Sequence, residues 1–105
     1  MALIINKQIS DSIIKVFNKR ENGDYDFDSH EFISVFKMAY PCEYYKSLLS
    51  YMAKNDIEGA FQHMHAAIGR YLSKKHIELN IQSADKHNST NYKGGETPNE
   101  KWRKL

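Results

Sequence analysis

The spacing of apolar residues changes near Lys75, and this change most constrains the fold. Before it, large apolar side chains recur at intervals that place them on one side of a helix: Phe61, Met64, Ile68, Tyr71 and Leu72. After it, apolar and polar residues alternate, as in a half-buried strand, with the apolar ones at Ile77, Leu79 and Ile81. The pattern predicts a helix over residues 59–75, preceded by a turn, and a strand over residues 76–82.

The rest of the chain is polar and basic. Residues 85–99 contain Gly94, Gly95 and Pro98, which interrupt regular structure, and a short final segment follows around Trp102. The simplest assembly is an antiparallel hairpin in which Trp102 covers the apolar face of the first strand. We expect the long tip, residues 85–99, to be mobile or to contact a partner, because loops of more than about 12 to 15 residues are seldom idle.

A first helix is predicted over residues 6–19, because its apolar residues share one face. It ends at a polar turn in which Gly23 can adopt a left-handed backbone conformation. Directly after this turn, Tyr25 and Phe27 alternate with aspartates. This alternation predicts a very short strand.

The next helix has the clearest start signal in the sequence. Asp28 and Glu31 have the spacing of a capping box, with aspartate in place of serine or threonine. Pro41 ends this helix, because proline disfavours helical geometry in the residue before it, and it also suits the first turn of a further helix. That helix is predicted over residues 41–54.

Composition predicts one domain, residues 1–105, with a sizeable core. Hydrophobic residues make up 41% of the 105, which excludes wholesale disorder, and the net charge is +2. Residues 1–58 carry seven Lys or Arg against nine Asp or Glu, whereas residues 59–105 carry eight against four. A basic second half favours a polyanionic partner for one face of the molecule.

The apolar run near the start, residues 2–5, is too short for a signal peptide or a membrane span. Cys42 is the one cysteine, so it has no partner for an internal disulfide, which agrees with a reducing compartment. We therefore expect a cytoplasmic protein that does not interact with a membrane.

Catalysis has little support in the sequence. Cys42 follows a proline at a predicted helix start, where backbone amides can lower a thiol pKa, but nothing places a histidine beside it. His63 and His65 diverge by about 200 degrees on a helix and so do not share a metal. Spacing gives no reason to join His65, His76 and His87 in one site. With no phosphate loop, nucleophile elbow or acid pair, we expect no enzyme activity and no cofactor.

The run from Asn18 to Phe32 resembles a calcium-binding loop between two helices. If Gly23 occupies the sixth position of such a loop, Arg20 falls at the third position, which requires an oxygen ligand. The twelfth position, which requires a bidentate glutamate, is Ser29. The sequence therefore favours a solvated acidic turn over a calcium site.

The order of these elements resembles the winged-helix variant of the helix-turn-helix. The fold expected from this resemblance is mainly α with a C-terminal β-hairpin, that is, three to four helices plus a two-stranded wing. The helix over residues 41–54 is either an extra element or the second member of the helix pair, in which case residues 55–59 form a linking segment of acceptable length. No single family motif carries the resemblance.

The resemblance implies that the last helix enters the major groove of DNA and that the wing contacts phosphates or the minor groove. If the positions of the winged-helix fold are carried over to this sequence, the last helix starts near Gly59 and the residues that face the bases are Gln62, His63 and Ala66. The residues that face the DNA backbone are Arg70 and Lys74. The residues of the wing that contact DNA are Lys86, His87 and Lys93. The expected function is that of a noncatalytic nucleic-acid-binding protein, for instance a small DNA-binding regulator.

Three further interpretations remain open on the sequence alone. Winged-helix domains also serve as protein-interaction adaptors, and the tyrosines of the 41–54 helix suit such contacts. A homodimer is the second, since Leu3, Ile4 and Ile5 either form a dimer contact or complete the core. An enzyme subunit without its own active site is a further, minor possibility.

Overall fold

The computed structural model describes residues 3–105, so the first two residues of the predicted domain, and with them the first residue of the apolar run, lie outside the described residues. Within this range the chain forms four helices and three strands: α1 (Lys7–Lys15), β1 (Phe27–Asp28), α2 (Ser29–Ala39), α3 (Pro41–Met52), α4 (Ile57–Lys75), β2 (Ile81–Thr90) and β3 (Glu96–Lys104). The strands form one antiparallel sheet in the order β1-β3-β2. Helices account for about half of the chain, so the fold is mixed α/β, and the expected two-stranded wing has a third strand.

Helix α1 starts where predicted but ends four residues early, at Lys15. Its start is capped by Asn6, whose side chain accepts a hydrogen bond from the Ile9 N–H at 2.9 Å. Beyond its end, the Asp26 carboxylate accepts hydrogen bonds from the N–H groups of Arg20 and Lys104, both at 2.8 Å. The bond from Lys104, which is far away in the sequence, holds the segment after α1 against β3.

The predicted capping box at the start of α2 is confirmed. The Asp28 Oδ1 atom accepts from the Glu31 N–H at 2.8 Å, and the Glu31 Oε1 atom accepts from the Asp28 N–H at 2.9 Å. The second carboxylate oxygen of Asp28 hydrogen-bonds with His87 Nε2 at 2.9 Å, and only 3% of the Asp28 side chain is exposed. Asp28 therefore joins the start of α2 to strand β2.

Replacing Asp28 with alanine is expected to lower the free energy of unfolding by about 2 to 3 kcal/mol, because it removes a helix cap and a buried hydrogen-bond acceptor for His87. Asp56 is a matched control, since it caps α4 by accepting from the Gly59 N–H at 2.7 Å but is exposed. Asp56→Ala should cost only about 1 kcal/mol. Urea unfolding followed by circular dichroism measures both. Equal losses would contradict a stabilising contact between Asp28 and His87.

The hydrophobic core lies between the helices and one face of the sheet. Its largest side chains that are almost fully buried are Trp102, Tyr44, Phe27, Phe32, Phe36, Ile13, Met64, Ile68, Leu72 and Ile81. The predicted burial of Trp102 is confirmed, with 1% of the residue exposed. Helix α3 begins at Pro41 as predicted and ends at Met52, two residues earlier than predicted.

The predicted position of the first hairpin strand is wrong, whereas the predicted final segment around Trp102 lies within β3. Residues 76–80 form turns rather than a strand, and Ile77 is 79% exposed instead of sharing a buried face with Leu79 and Ile81. The expected long tip is also wrong, since β2 and β3 take up most of residues 85–99 and leave only residues 91–95 between them.

Backbone pairing, rather than apolar alternation, defines this hairpin. Asn91 and Gly95 close its tip through an N–H···O=C bond of 2.8 Å, and Gly94 occupies the left-handed region that this tight turn requires. A register shift between Ser83 and Lys86 adds one residue to β2, and Asp85 there also has a positive φ of 84°. The shift interrupts the two-residue period from which strands are recognised in a sequence.

The first described residues pack against the core. Leu3 is buried, Ile5 is partly buried against the core, and the Ile4 N–H donates to Ser47 Oγ at 2.8 Å. These contacts favour the interpretation in which this segment completes the core over the one in which it forms a dimer contact. Within residues 3–105, no helix is both long enough and apolar enough to cross a membrane.

Candidate functional site

One face of α4 is exposed and carries the helix residues expected to contact nucleic acid. The outer strip consists of Gln62, His63, Ala66, Arg70 and Lys74, all of which are exposed. The opposite face is buried through Met64, Ile68 and Leu72. The helical period thus separates an apolar inner face from a polar and cationic outer face.

The two cations of the outer strip are not neutralised by neighbours. Neither Arg70 nor Lys74 forms an ion pair with another residue in the described part of the chain. Lys75, next to the strip, pairs with Glu78 at 3.6 Å. The charges of Arg70 and Lys74 are therefore directed to solvent and remain available to an anionic partner.

The tip of the hairpin packs on the first turns of α4 instead of projecting from the molecule. The ring of Tyr92 stacks on Phe61 with a centroid distance of 4.9 Å and meets the edge of His65 at the same distance. Lys93 forms an ion pair with Glu58, and this hydrogen bond and charge raise the pKa of Lys93. The expected wing cation Lys93 is thus already paired.

His87 and Lys86, the two other hairpin residues expected to contact nucleic acid, differ in their surroundings. His87 hydrogen-bonds with Asp28 and lies edge-on to Tyr25 at 4.9 Å between ring centroids. Lys86 is exposed and makes no ion pair within residues 3–105. Of the three hairpin residues named from the sequence, Lys86 is the one whose charge is free to meet a ligand.

A groove of about 420 Å³ separates α4 from the hairpin and the start of α2. Three residues expected from the sequence line it: Ala66, Arg70 and Lys86. Sequence reasoning missed the groove residues of the opposite walls, which include His30, Ile33, Asn99, Glu100 and Trp102. Asn99 lies in the predicted loop of residues 85–99, whereas His30 and Ile33 lie in the predicted helix after Asp28 and Trp102 in the predicted final segment. No local pattern places any of these residues beside α4.

A polar network fixes the groove wall formed by α2 and the hairpin. The backbone N–H of His30 donates to Asn99 Oδ1 at 3.0 Å, and His30 Nδ1 hydrogen-bonds with Ser89 Oγ at 2.9 Å. Asn99 Nδ2 donates to the same Ser89 oxygen at 2.8 Å. These bonds connect α2 to both strands of the hairpin and hold the groove open in one shape.

A second histidine, His65, lies at the floor of the groove. Its Nε2 atom hydrogen-bonds with the Tyr44 hydroxyl at 2.8 Å. Burial, together with the charges of His30 and Lys37, lowers the pKa of His65 to about 4, and burial raises the pKa of Tyr44 to about 12. Both side chains are therefore neutral near pH 7.

The histidines considered for a shared metal site lie in separate surroundings. His65 contacts Tyr44, His76 Nδ1 contacts the Ser73 carbonyl at 2.8 Å, and His87 contacts Asp28. Among residues 3–105, no group of three or more His, Cys, Asp or Glu side chains is arranged to hold a metal ion. Cys42 is exposed in the first turn of α3.

Comparisons with protein families, with curated proteins and with solved structures give no match. Function is therefore inferred from the geometry of α4 and the groove. The two surfaces are adjacent, since Ala66 and Arg70 belong to both.

Proposed function

We propose that this chain is a noncatalytic nucleic-acid-binding protein of winged-helix type, in which the outer strip of α4 contacts DNA. The observation that carries the proposal is the pair of exposed cations without ion-pair partners, Arg70 and Lys74, on a helix face that also contains Ala66. A small residue between polar and cationic ones lets a helix approach base edges while cations reach phosphates.

The architecture supports this assignment. Helix α4 leads directly into the β2–β3 hairpin, and two further helices, α2 and α3, precede it. A helix followed by a two-stranded ribbon is the arrangement in which winged-helix domains place a recognition helix beside a wing. The third strand, β1, extends this ribbon and joins it to the start of α2.

The contacts of the hairpin restrict which residues meet DNA. Since Lys93 is paired with Glu58 and His87 with Asp28, we assign the phosphate contacts to Arg70, Lys74 and Lys86. The Gln62 amide has the donor and acceptor needed for two hydrogen bonds to adenine, which are worth about 1 to 3 kcal/mol of discrimination. We propose that the protein binds random duplex DNA weakly and gains affinity at a preferred sequence.

Arg70→Ala and Lys74→Ala are each expected to weaken binding to random duplex DNA about five- to tenfold at low salt, because each removes one phosphate contact. Fluorescence anisotropy of a labelled duplex pool measures the affinity. Lys15→Ala is the matched control, since Lys15 is an exposed lysine on α1 without an ion-pair partner among the described residues. Unchanged affinity in both α4 variants, or an equal loss in the α1 variant, would contradict the proposal.

An apolar stripe on α3 favours a second candidate, a protein-interaction adaptor. Tyr45, Leu49 and Met52 follow one another at helical spacing and are 46%, 64% and 38% exposed. Such a stripe suits a protein surface better than a polyanion. A partner bound there would show a shallow dependence of affinity on salt, whereas DNA bound to α4 gives a steep one.

A further inference from the structure

The groove between α4, the start of α2 and the hairpin has the properties of a ligand site. We propose that it binds a small planar organic anion with one negatively charged group, such as an aromatic carboxylate. The apolar body lies between Ala66 of α4 and Pro98 of β3, and the charged group lies near Arg70. This site does not depend on whether α4 binds DNA.

The size and lining of the groove suit a small molecule. Its volume of about 420 Å³ lies within the range of roughly 300 to 1,000 Å³ that is usual for such sites. Ala66 and Pro98 provide exposed apolar surface, and Asn99 provides an amide. Ile33 and Trp102 also line the groove but are almost fully buried. A groove of mainly apolar walls with a few fixed polar groups is the usual composition of a ligand site.

Gly69 makes the α4 wall of the groove flat. A Cβ atom built at this position would meet no atom within 4 Å, so packing inside the chain does not require a glycine there. Glycine in the middle of a helix is also less stable than alanine. A flat ligand lying directly on the helix backbone is a physical reason for a residue without a side chain at this place.

The charges in the groove leave one positive charge in excess. Arg70 enters from α4 and Lys86 from β2, while Glu100 lies opposite Lys86 in the strand pairing and also lines the groove. His65 on the floor is neutral near pH 7, because burial lowers its pKa. Because Glu100 lies opposite Lys86, an anionic group is attracted most strongly beside Arg70. One negative charge on the ligand matches the one positive charge that remains in the groove.

The walls are held in place before any ligand binds. Bonds among His30, Ser89 and Asn99 fix the hairpin to α2, and the stacking of Tyr92 on Phe61 fixes its tip to α4. A preformed groove binds a ligand without the cost of ordering loops. Even a small aromatic anion can therefore bind measurably.

The test is a nuclear magnetic resonance titration of ¹⁵N-labelled protein with 2-naphthoate and with 2-naphthamide, which has the same shape but no charge. The indole N–H of Trp102 and the amide of Gly69 report on opposite walls, and Trp102 is the single tryptophan, so its signal is unambiguous. We expect 2-naphthoate to shift both signals saturably and to bind about tenfold more tightly than the amide, as expected for a charge-assisted contact. No saturable shift with 2-naphthoate, or equal affinity for the two compounds, would overturn the proposal.

Three variants locate the ligand. Arg70→Gln should remove the preference for 2-naphthoate over 2-naphthamide, and Glu100→Gln should strengthen 2-naphthoate binding about three- to tenfold, because it removes a repulsive charge. Gly69→Leu should fill the groove and abolish binding of both compounds. Lys15→Gln, on α1, is the control and should bind as the unaltered protein does.

Gly69→Leu is expected to fold, since a Cβ atom there meets no neighbour, and thermal unfolding by circular dichroism checks this. Should it unfold, Arg70→Gln and Glu100→Gln provide the test, because Arg70 is exposed and Glu100 half-buried, so neither lies in the core. A folded Gly69→Leu protein that binds 2-naphthoate normally would contradict the site, as would an unchanged preference in Arg70→Gln.

Discussion

Replacing Trp102 with alanine is expected to lower the free energy of unfolding by about 3 to 5 kcal/mol, the largest loss from any single change that we predict. Trp102 is 1% exposed and lies opposite Phe27 in β1 and Ser83 in β2. Its indole N–H also donates to Ser29 Oγ at 3.1 Å, within the buried core. The substitution therefore leaves a large cavity at the point where all three strands meet and an unpaired hydroxyl at the start of α2.

Chemical unfolding followed by far-ultraviolet circular dichroism measures this loss without relying on tryptophan fluorescence. Tyr92→Ala provides the comparison, because Tyr92 is an aromatic residue at the other end of the hairpin and is 41% exposed. Its loss should cost only about 1 kcal/mol, the order of one aromatic pair. A loss of less than about 1 kcal/mol for Trp102→Ala would contradict the central place of Trp102 in the core.

Acidification is expected to destabilise the protein through His65. Burial, with the charges of His30 and Lys37, lowers the pKa of His65 from 6.5 to about 4 in the folded state. Between these two values the unfolded chain binds a proton that the folded protein does not, so stability decreases as the pH falls through this window. At about 1.4 kcal/mol per pKa unit, and allowing for partial exposure, the loss between pH 7 and pH 4 is about 2 to 3 kcal/mol.

Other groups titrate in the same window, so His65→Gln is needed as a reference. Glutamine retains a polar group beside Tyr44 but does not bind a proton. Urea unfolding at pH 7 and at pH 4 should therefore show a smaller decrease in stability for the variant than for the unaltered protein. The same decrease in both proteins would mean that His65 is not a source of the acid sensitivity.

Local signals in the sequence were sufficient to predict that the four helices exist and to place some of their ends. The capping box at Asp28 and Glu31 depends on residues three apart, and Pro41 acts on its immediate neighbours, so both boundaries were predicted correctly. The exposed face of α4 also follows from one helical period. The end of α1 was predicted four residues too late, and the segment after it is held by a bond between Asp26 and Lys104, which are far apart in the sequence.

The first strand of the hairpin was predicted at the wrong position because the pairing that defines it joins distant segments of the chain. Strands β2 and β3 are mostly polar, and a register shift at Asp85 interrupts their alternation, so no two-residue period marks them. Ile77 and Leu79 gave such a period, but they lie in turns before β2. Pairing of backbone groups between distant segments defines these strands, and a sequence does not display it.

The candidate site also combines residues that a local sequence pattern predicts with residues that only the tertiary fold brings together. The outer strip was predicted because its residues lie on one helix. The pairing of Lys93 with Glu58, and the groove between α4 and the hairpin, depend on how the hairpin tip packs on α4. Residues such as His30 and Asn99 enter the site from elements separated by more than sixty positions in the chain.

The most direct test of nucleic-acid binding by α4 is the salt dependence of the affinity of the purified protein for a pool of random duplex DNA, measured by fluorescence anisotropy. Three phosphate contacts, through Arg70, Lys74 and Lys86, predict micromolar binding at low salt and a slope of about −2.7 for the logarithm of the affinity against that of the salt concentration. Absence of binding at low salt, or a slope near zero, would contradict the proposed function and direct the search to the apolar stripe of α3.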